Sequence, residues 1–312
     1  MGMRILVTGG AGYLGSILVP ELLAHGHKVT VLDNFMYAQN SLAHVCAQPA
    51  FNVVNGDARL ESTLAPLVRA ADVVIPLAAF VGAPLCDRDP IGASSVNHDA
   101  VLLLLHLIDP AQQLLMPTTN SAYGSGDAGN FCTEESELRP ISHYARQKVE
   151  IERAILQREN SVSFRLATVF GMSPRMRIDL LVNDFTYRAV HDRCLLLFEP
   201  HFKRNYIHVR DVARVFLHGL KNFESMRGRI YNVGLSDANL SKLELCQAIQ
   251  RRLPHVVFME APLGSDPDQR NYIVSNAKIE GTGYIPAHSL DDGIVELIKG
   301  FTMIKKQGYS NV

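Results

Sequence analysis

The stretch RILVT at residues 4–8, followed by GGAGYLG at 9–15 and KVTVLD at 28–33, decides the fold of this chain. It reads as an apolar strand, a glycine-rich turn, an amphipathic helix and a second strand that ends in an acid. Glycines in this order after a strand, with an acid closing the next strand, are typical of a βαβ unit that binds an adenine dinucleotide. The chain therefore begins with a predicted dinucleotide site.

The glycines and the acid of this stretch have separate expected roles. We expect Gly9 to allow the tight turn, Gly12 to let the backbone approach a pyrophosphate, and Gly15 to let the helix pack against the strand. The helix N-terminus offers free N–H groups and a positive dipole end to the phosphates. Asp33 can accept both ribose hydroxyls and would repel a 2′-phosphate, which favours NAD over NADP. A phosphate-binding loop of the NTPase kind is excluded, because Ser16 and not a lysine follows Gly15.

Further cofactor contacts are expected after the next strands. Asp57 follows the third strand, where it would either bond the adenine amino group or cap its own loop. Asn97 lies in a later helix and would either contact the cofactor or cap a neighbouring backbone group. The other predicted contacts border the same nucleotide, and they are Tyr13, Leu14, Asn34, Ala58, Leu77, Ala78 and Ala79.

Strands and helices alternate along most of the chain. After the first two strands, apolar runs predict strands at 51–54, 71–76, 113–116, 162–167 and 230–234, and helices at about 41–47, 90–108, 142–159, 178–191 and 290–306. This alternation indicates the α/β class, as a Rossmann-type doubly wound parallel sheet. We expect an NAD-binding domain over 1–170, with contributions from about 204–234, and a smaller, interleaved substrate lobe mainly over 171–312.

Composition and charge indicate a globular cytoplasmic enzyme. The chain has 312 residues, 47% of them hydrophobic, and a net charge of −1. This balance argues against a nucleic-acid or membrane partner, and no apolar run reaches the length of a membrane span. The chain enters its first strand directly, so we expect no signal peptide. The twelve histidines lack ligand spacing, so no metal site is predicted. Five scattered cysteines predict reduced thiols that mostly fill the core, and they are Cys46, Cys86, Cys132, Cys194 and Cys246.

The helix predicted over 90–108 is apolar on every side near its end. Residues 100–108 read AVLLLLHLI, whereas a surface helix would show a polar face. One side can pack on the sheet, and the other side needs a second cover. We expect a subunit interface here, and hence a homodimer or a higher homo-oligomer. The alternative is that another part of the same chain covers it.

The chemistry is predicted to centre on Tyr144 and Lys148. They lie four residues apart, and therefore on one face of a helix for which Ser142 is a plausible N-cap. A phenol is a poor base at neutral pH, but a nearby ammonium and the positive ring of NAD⁺ both favour the phenolate. Thr119, at the end of the fifth strand, adds a hydroxyl that can orient a substrate alcohol.

These features together resemble the extended short-chain dehydrogenase/reductase family. The resemblance rests on the glycine pattern of 9–15, on Thr119 four residues before Tyr123, and on Tyr144 four residues before Lys148. This family includes nucleotide-sugar epimerases, dehydratases and decarboxylases. The resemblance implies that Tyr144 is the base, Lys148 its activator and Thr119 the hydroxyl partner. It also implies NAD as cofactor and the oxidation of a sugar hydroxyl, usually at C4.

The same resemblance implies where a nucleotide-sugar substrate binds. Arg204 and Arg270 stand where the family places arginines on the substrate diphosphate, and a guanidinium fork can bond two phosphate oxygens at once. The other substrate contacts that we expect are Val81, Asn120, Ser121, Thr168, Arg175, Arg177 and Asn183.

The two residues that directly follow Thr119 reduce the number of possible reactions. The 4,6-dehydratases of this family have an Asp-Glu pair there as acid and base, whereas this chain has Asn120 and Ser121. Dehydration is therefore disfavoured. Three hypotheses stay open: an NAD-dependent sugar C4 dehydrogenase, a C4 epimerase acting on a UDP- or GDP-sugar, and, more remotely, a non-catalytic NAD-binding regulator.

Overall fold

The computed structural model describes residues 2–38, 40–125, 130–261 and 270–304. The loop expected around Gly126, Asp127 and Gly129, and the end of the last predicted helix at 305–306, lie outside these ranges. The strands, numbered along the chain, are β1 Arg4–Thr8, β2 Lys28–Asp33, β3 Phe51–Asn55, β4 Val73–Pro76, β5 Gln113–Thr119, β6 Phe131–Cys132, β7 Ser161–Leu166, β8 Thr168–Phe170, β9 Cys194–Leu197, β10 Lys203–His208, β11 Arg229–Val233, β12 Asn239–Ser241, β13 Val257–Glu260 and β14 Ile273–Val274.

The helices connect these strands. They are α1 Gly15–Ala24, α2 Glu61–Arg69, α3 Ala83–Arg88, α4 Pro90–Ser94, α5 Ala100–Leu107, α6 His143–Ile155, α7 Leu181–His191, α8 Val209–Lys221, α9 Phe223–Met226, α10 Lys242–Arg252, α11 Ala277–Glu280 and α12 Leu290–Met303. A π-helical turn, Ser95–Asp99, joins α4 to α5.

The main sheet confirms the predicted Rossmann-type fold. Within the described ranges it has seven strands in the order β11-β7-β5-β4-β1-β2-β3, and every neighbouring pair is parallel. A parallel sheet is covered on both faces, so its central strands are apolar on both sides. In β1, Ile5 and Val7 join one core cluster and Leu6 joins the other, as the alternation of side chains along a strand requires.

Helices cover the two faces of this sheet. On one face, Leu18 of α1 and Phe216 of α8 belong to the cluster that contains Ile5 and Val7. On the other face, the cluster around Leu6 includes side chains of α2, α5 and α6. All the carboxyl ends of the parallel strands therefore open at one edge, where ligands bind in sheets of this kind.

The later part of the chain is interleaved with the main sheet. After β7 the chain leaves the sheet, and it returns as β11 at the sheet edge. Between and beyond these points it forms a three-stranded sheet in the order β12-β10-β8 and the pair β9–β13, and β14 pairs with β6, which precedes β7 in the chain. These smaller sheets place β8 and β10 next to the carboxyl edge of the main sheet. A boundary between lobes at residue 170 stays a prediction.

Three local predictions differ from the structure. The helix expected over 41–47 is wrong, because this segment holds only the 3₁₀ turn Ala43–Val45. Leu42 and Val45 supply one buried turn, and the Ser41 hydroxyl is held by the carbonyl of Ala11. The helix over 90–108 is interrupted by the π turn. The helix α2 was not predicted.

Candidate active site

A cavity of about 320 Å³ opens at the carboxyl edge of the main sheet. It is bordered by the loops after β1, β2, β3, β4 and β5, by the start of α6, and by the segment that follows β7. The predicted residues that line it are Gly9, Gly12, Tyr13, Leu14, Gly15, Asp33, Asn34, Asp57, Ala58, Leu77, Ala78, Ala79, Val81, Thr119, Ser121, Tyr144, Lys148, Thr168, Arg175, Arg177 and Arg270. One cavity thus brings the expected cofactor, catalytic and substrate residues together.

Two asparagines predicted as ligand contacts do not line the cavity but bond the backbone of loops beside it. Asn97 is fully buried in the π turn, where its side chain accepts from the Phe80 amide at 2.8 Å and donates to the Phe80 carbonyl at 2.9 Å. Asn183 accepts from the Gly171 amide at 3.0 Å and donates to the Arg177 carbonyl at 2.8 Å. Both side chains thus position the loops after β4 and β8. For Asn97 this is the second of the two roles expected from the sequence, the capping of a backbone group, and a substrate contact of Asn183 stays a prediction.

Two further predicted substrate residues also lie behind the cavity wall. Arg204 is buried on β10, with its Cζ atom 5.8 Å from the ring centre of Tyr272, and Tyr272 itself lines the cavity. Asn120 is fully buried, and neither polar atom of its side chain has a hydrogen-bond partner among the described residues. The substrate roles of both residues stay predictions.

The glycine turn is shaped by close backbone contacts. Gly9 has φ +70°, and a Cβ there would lie 2.5 Å from the amide nitrogen of Ala78. The turn therefore packs directly on the loop after β4, which only glycine allows. A Cβ on Gly15 would lie 2.4 Å from the Gly10 carbonyl oxygen. Gly15 consequently lets the helix begin directly against the turn that follows β1, and α1 side chains share a core cluster with Ile5 and Val7 of that strand.

Acidic side chains mark the adenosine end of the cavity. The Asp33 carboxylate accepts from the Ala11 amide at 2.9 Å and from the Phe35 amide at 2.8 Å, which fixes it at the end of β2. Asp57 is paired with Arg59, with Oδ2 and Nη2 2.5 Å apart, and this hydrogen bond holds the pKa of Asp57 below its usual range. A ligand that contacts Asp57 would therefore also lie close to the positive charge of Arg59.

The residues at this end fit an adenine dinucleotide. The amides of Tyr13 and Leu14 lie at the start of α1, where N–H groups lack intrahelical acceptors. Gly12 faces the cavity, and the nearest atom to a Cβ built there is the Gly9 carbonyl oxygen, at 3.1 Å. The resulting cradle, with Asp33 at the end of the next strand, suits a pyrophosphate and the adjoining ribose.

Tyr144 and Lys148 lie together in the first turns of α6. Ser142 caps this helix as predicted, since its side chain accepts from the Ala145 amide. Lys148 is 5% exposed, and burial lowers its pKa to about 8. Burial, with a smaller effect of Cys86, raises the pKa of Tyr144 to about 12. In this environment desolvation outweighs the neighbouring positive charges of Arg177 and Arg270, so the phenolate depends on the contribution expected from the ring of NAD⁺.

The start of α6 is held in place from α4. The Gln147 amide donates to the Ser94 hydroxyl at 2.8 Å, and the same hydroxyl lies 3.1 Å from the His143 ring. These contacts flank Tyr144 on both sides in sequence. They fix the helix turn that presents the phenol to the cavity.

A chain of polar groups leads from Thr119 to the expected substrate side. The Thr119 hydroxyl donates to the Ser121 hydroxyl at 2.9 Å, and Arg270 also donates to Ser121. Arg177 forms a buried pair with Asp179. The positive charges of Arg177 and Arg270 act to lower the pKa of Tyr144. This side of the cavity is therefore positive around the phenol.

The structure adds lining residues that the sequence reading missed. Phe35, Tyr37, Arg59 and Tyr272 all border the cavity. Arg59 could have been found from its position two residues after Asp57. Tyr37 had no such signal, because its place depends on an arginine far away in the chain: the Arg175 Cζ atom lies 3.8 Å from the Tyr37 ring centre.

Neither a metal centre nor a membrane-spanning segment is found in the described ranges. They contain no cluster of three or more His, Cys, Asp or Glu side chains placed to hold a metal ion. None of the helices in the same ranges is long and apolar enough to cross a bilayer. The five cysteines are free, and Cys86, Cys132 and Cys246 are buried while Cys46 and Cys194 are exposed.

The fold and the site define a Rossmann-type oxidoreductase with a Tyr–Lys pair beside a dinucleotide cradle. The NAD dependent epimerase/dehydratase family matches residues 5–234, and the chain belongs to this family. It is thus an NAD-dependent enzyme, which removes the hypothesis of a non-catalytic regulator.

Similar proteins extend over nearly the whole chain. The low-salt glycan biosynthesis protein Agl12 of Haloferax volcanii is 28% identical over 305 residues, which cover 94% of this chain and 96% of Agl12. The UDP-glucose 4-epimerase of Corynebacterium glutamicum is 28% identical over 335 residues, with 96% of each chain covered. The crystal structure of DesIV, a dTDP-glucose 4,6-dehydratase of Streptomyces venezuelae with NAD bound, superposes with a TM-score of 0.84 at 26% identity and covers 99% of each chain.

Proposed function

We propose that this enzyme oxidises the C4 hydroxyl of a nucleotide-activated sugar. The observation that carries the proposal is the buried Tyr144–Lys148 pair, which shares one cavity with the dinucleotide cradle and with the Thr119–Ser121–Arg270 chain. NAD⁺, when bound, supplies the hydride acceptor and a positive ring. The residues of the chain supply the proton acceptor, the orientation of the alcohol and the charge that holds a diphosphate.

The protein's part in the oxidation is proton removal and positioning. Tyr144 Oη would accept the proton of the substrate hydroxyl, and NAD⁺ held by the cradle would supply the acceptor for the hydride of the same carbon, so that the alcohol becomes a ketone. Lys148, Arg177 and Arg270 place positive charge around the phenol, which stabilises its phenolate form. Thr119 and Ser121 provide hydroxyls that can hold the substrate oxygen within reach of Tyr144.

The particular sugar that we favour is a GDP-heptose. Segments 76–86, 119–124, 173–177 and 202–211 resemble the dehydrogenase that oxidises C4 of GDP-D-glycero-α-D-manno-heptose, an enzyme of bacterial surface-polysaccharide biosynthesis. Similarity over the whole chain to a glycan biosynthesis protein supports a role in polysaccharide synthesis. The scattered free cysteines support a cytoplasmic enzyme.

A C4 epimerase is the second candidate. It is supported by full-length similarity to a UDP-glucose 4-epimerase. The two candidates share the first step and differ in the fate of the ketone, which is either released or returned to an alcohol of opposite configuration. Both keep the assignments of Tyr144, Lys148 and Thr119.

The test is a panel of UDP-, GDP- and dTDP-sugars with NAD⁺ and the purified protein. A dehydrogenase accumulates reduced nicotinamide, seen by absorbance, and a keto-sugar, seen by product NMR. An epimerase gives an epimer without net reduction. No turnover of any nucleotide sugar, under conditions where NADH binds, would contradict the proposal.

Replacing Tyr144 with Phe tests the mechanism itself. This change keeps the ring and removes the ionisable hydroxyl, so we expect kcat to fall by roughly 10²–10⁴-fold, the usual contribution of a general base. NADH affinity, measured by fluorescence, should stay near that of the wild type. A variant that turns over the best substrate of the panel at nearly the wild-type rate would show that Tyr144 is not the base.

A further inference from the structure

Arg175 and Arg177 are two residues apart, both line the cavity, and they have different partners. Arg177 is paired with Asp179, donates to the Val81 carbonyl and acts on Tyr144, which places it near the reacting centre. Arg175 is instead surrounded by the charges and rings of Tyr37, Arg177, Asp179 and Asp33. The contact with Tyr37 places Arg175 against the loop after β2, the strand that ends in Asp33.

The segment that carries Arg175 is attached to the first turn of α1. Ser173 donates to the Tyr13 carbonyl at 2.7 Å, and its hydroxyl lies 2.8 Å from that of Ser16. The Arg175 amide donates to the same Ser16 hydroxyl at 3.4 Å. The backbone of Arg175 is therefore fixed beside the helix N-terminus, where a dinucleotide pyrophosphate binds.

The side chain of Arg175 connects this segment to the loop after β2. Its guanidinium stacks on Tyr37, with Cζ 3.8 Å from the ring centre, and both residues line the cavity. The loop reaches this position through two non-glycine residues with positive φ, Phe35 at 51° and Ala38 at 50°. Such conformations are uncommon and persist where the surroundings enforce them. The stacking of Arg175 on Tyr37 is one contact that holds the loop in this uncommon conformation.

Burial gives the guanidinium a preference for an anion. Arg175 is 2% exposed, and it lies at the wall of a cavity where the helix N-terminus already attracts negative charge. A planar guanidinium can bond two oxygens of a pyrophosphate at once. A pyrophosphate oxygen is thus the ligand that this position suits.

We propose that Arg175, clasped by Tyr37, binds the pyrophosphate of NAD and slows its release, and that it is not a substrate ligand. This revises the role expected from the sequence. It makes Arg175 the side-chain complement of the backbone amides at the start of α1. The proposal rests on the use of NAD and is independent of which sugar is oxidised.

The test measures ligand binding without any sugar. Arg175→Gln removes the charge and should weaken NADH, followed by fluorescence, by roughly 10–100-fold, the usual effect of losing a charge-assisted hydrogen bond. ADP-ribose, which keeps the pyrophosphate and lacks the nicotinamide, should lose affinity to the same extent. GDP and UDP should bind as they do to the wild type. Arg188→Gln, which removes an exposed positive charge on α7, is the matched control and should change none of these affinities.

Two results would overturn the proposal. If Arg175→Gln left ADP-ribose affinity unchanged and weakened GDP or UDP, Arg175 would belong to the substrate. The second result concerns the stacking of Arg175 on Tyr37, and it can be measured even if Arg175→Gln fails to fold. Tyr37→Leu removes the ring face and should speed NADH release roughly 3–10-fold, whereas Tyr37→Phe keeps it and should not. Equal release rates for both variants and the wild type would exclude the clasp.

The failure of this proposal and the failure of the proposed function can be told apart. The binding assays contain no sugar nucleotide, so they report on Arg175 even if the panel of sugars finds no substrate. Conversely, turnover that depends on Tyr144 would stand even if Arg175 proved indifferent to ADP-ribose.

Discussion

Burial sets the resting protonation of the two central side chains. Tyr144 and Lys148 lie in neighbouring turns of α6, and desolvation favours the neutral form of each. It raises the pKa of the phenol to about 12 and lowers the pKa of the amine to about 8. The positive ring of bound NAD⁺ would reverse the balance for the phenol, since a nearby cation favours the phenolate. Burial alone therefore disfavours the ionised phenol that a general base requires.

The burial of Lys148 should lower the stability of the cofactor-free protein. In the unfolded chain a lysine has its ordinary pKa of 10.5, against about 8 when folded. Between these values the unfolded state binds more protons, so the stability of the wild type should rise with pH through this window. We expect Lys148→Met to stabilise the cofactor-free protein at neutral pH by roughly 1–3 kcal/mol and to remove this rise, while turnover is lost.

Urea unfolding at neutral pH and near pH 9.5 measures both effects. Lys299→Met, at an exposed position of α12, is the matched control and should leave the pH dependence unchanged. A Lys148→Met protein with the same pH dependence as the wild type would argue that Lys148 keeps its ordinary pKa when folded.

The catalytic helix is fixed to the sheet by a buried ion pair. Glu152 lies one turn beyond Lys148 on α6, and its Oε1 is 2.6 Å from Nη2 of Arg165 on β7. The hydroxyls of Thr118 and Ser163 also donate to this carboxylate, at 2.9 and 2.8 Å. One residue thus joins α6 to β5 and β7, beside the strand end that carries Thr119.

Breaking the Glu152–Arg165 pair should lower the free energy of unfolding. Glu152→Gln leaves the Arg165 charge buried without its counter-ion, and such losses destabilise proteins by about 3–5 kcal/mol. Asp184→Asn removes the partner of an exposed pair with Arg188 and should cost less than about 1 kcal/mol. Urea unfolding compares the two variants. Equal, small losses would mean that the network does not hold α6 in place.

Within the described part of the chain, some apolar side chains of α4 and α5 are exposed. In α5, Val101 and Leu104 are buried against the sheet, whereas Leu102 is 41% exposed, and Ile91 of α4 is 83% exposed. Exposed apolar side chains on neighbouring helices are what a contact with another molecule would require. A subunit contact through α5, in a homodimer or a higher homo-oligomer, stays a prediction.

A single charge should test this interface. Leu102→Glu places a carboxylate in the proposed contact, so we expect the dimer to dissociate to a monomer, as measured by light scattering coupled to size-exclusion chromatography. Leu243→Glu, at a similarly exposed leucine of α10, should leave the mass unchanged. A monomeric wild type, or a dimer that tolerates Leu102→Glu, would contradict the inference.

The sequence by itself determined the sheet and most of the residues that line its cavity. Glycine spacing, the acid at Asp33 and the Tyr144–Lys148 spacing are local patterns, and parallel strands bring their carboxyl ends together whatever the loops do. Local patterns of this kind are therefore sufficient to locate the cradle, the pair and Thr119.

Only the tertiary structure decided how side chains from distant segments divide the cavity. Asn97 and Asn183 turn to the backbone of Phe80 and Gly171, because buried backbone groups there need partners. Arg175 lies beside Tyr37, which comes far earlier in the chain, and no spacing rule connects them. Desolvation, which raises the pKa of Tyr144, likewise depends on every element packed around it. Contacts of long sequence separation are set by packing, and packing is not written in any one segment.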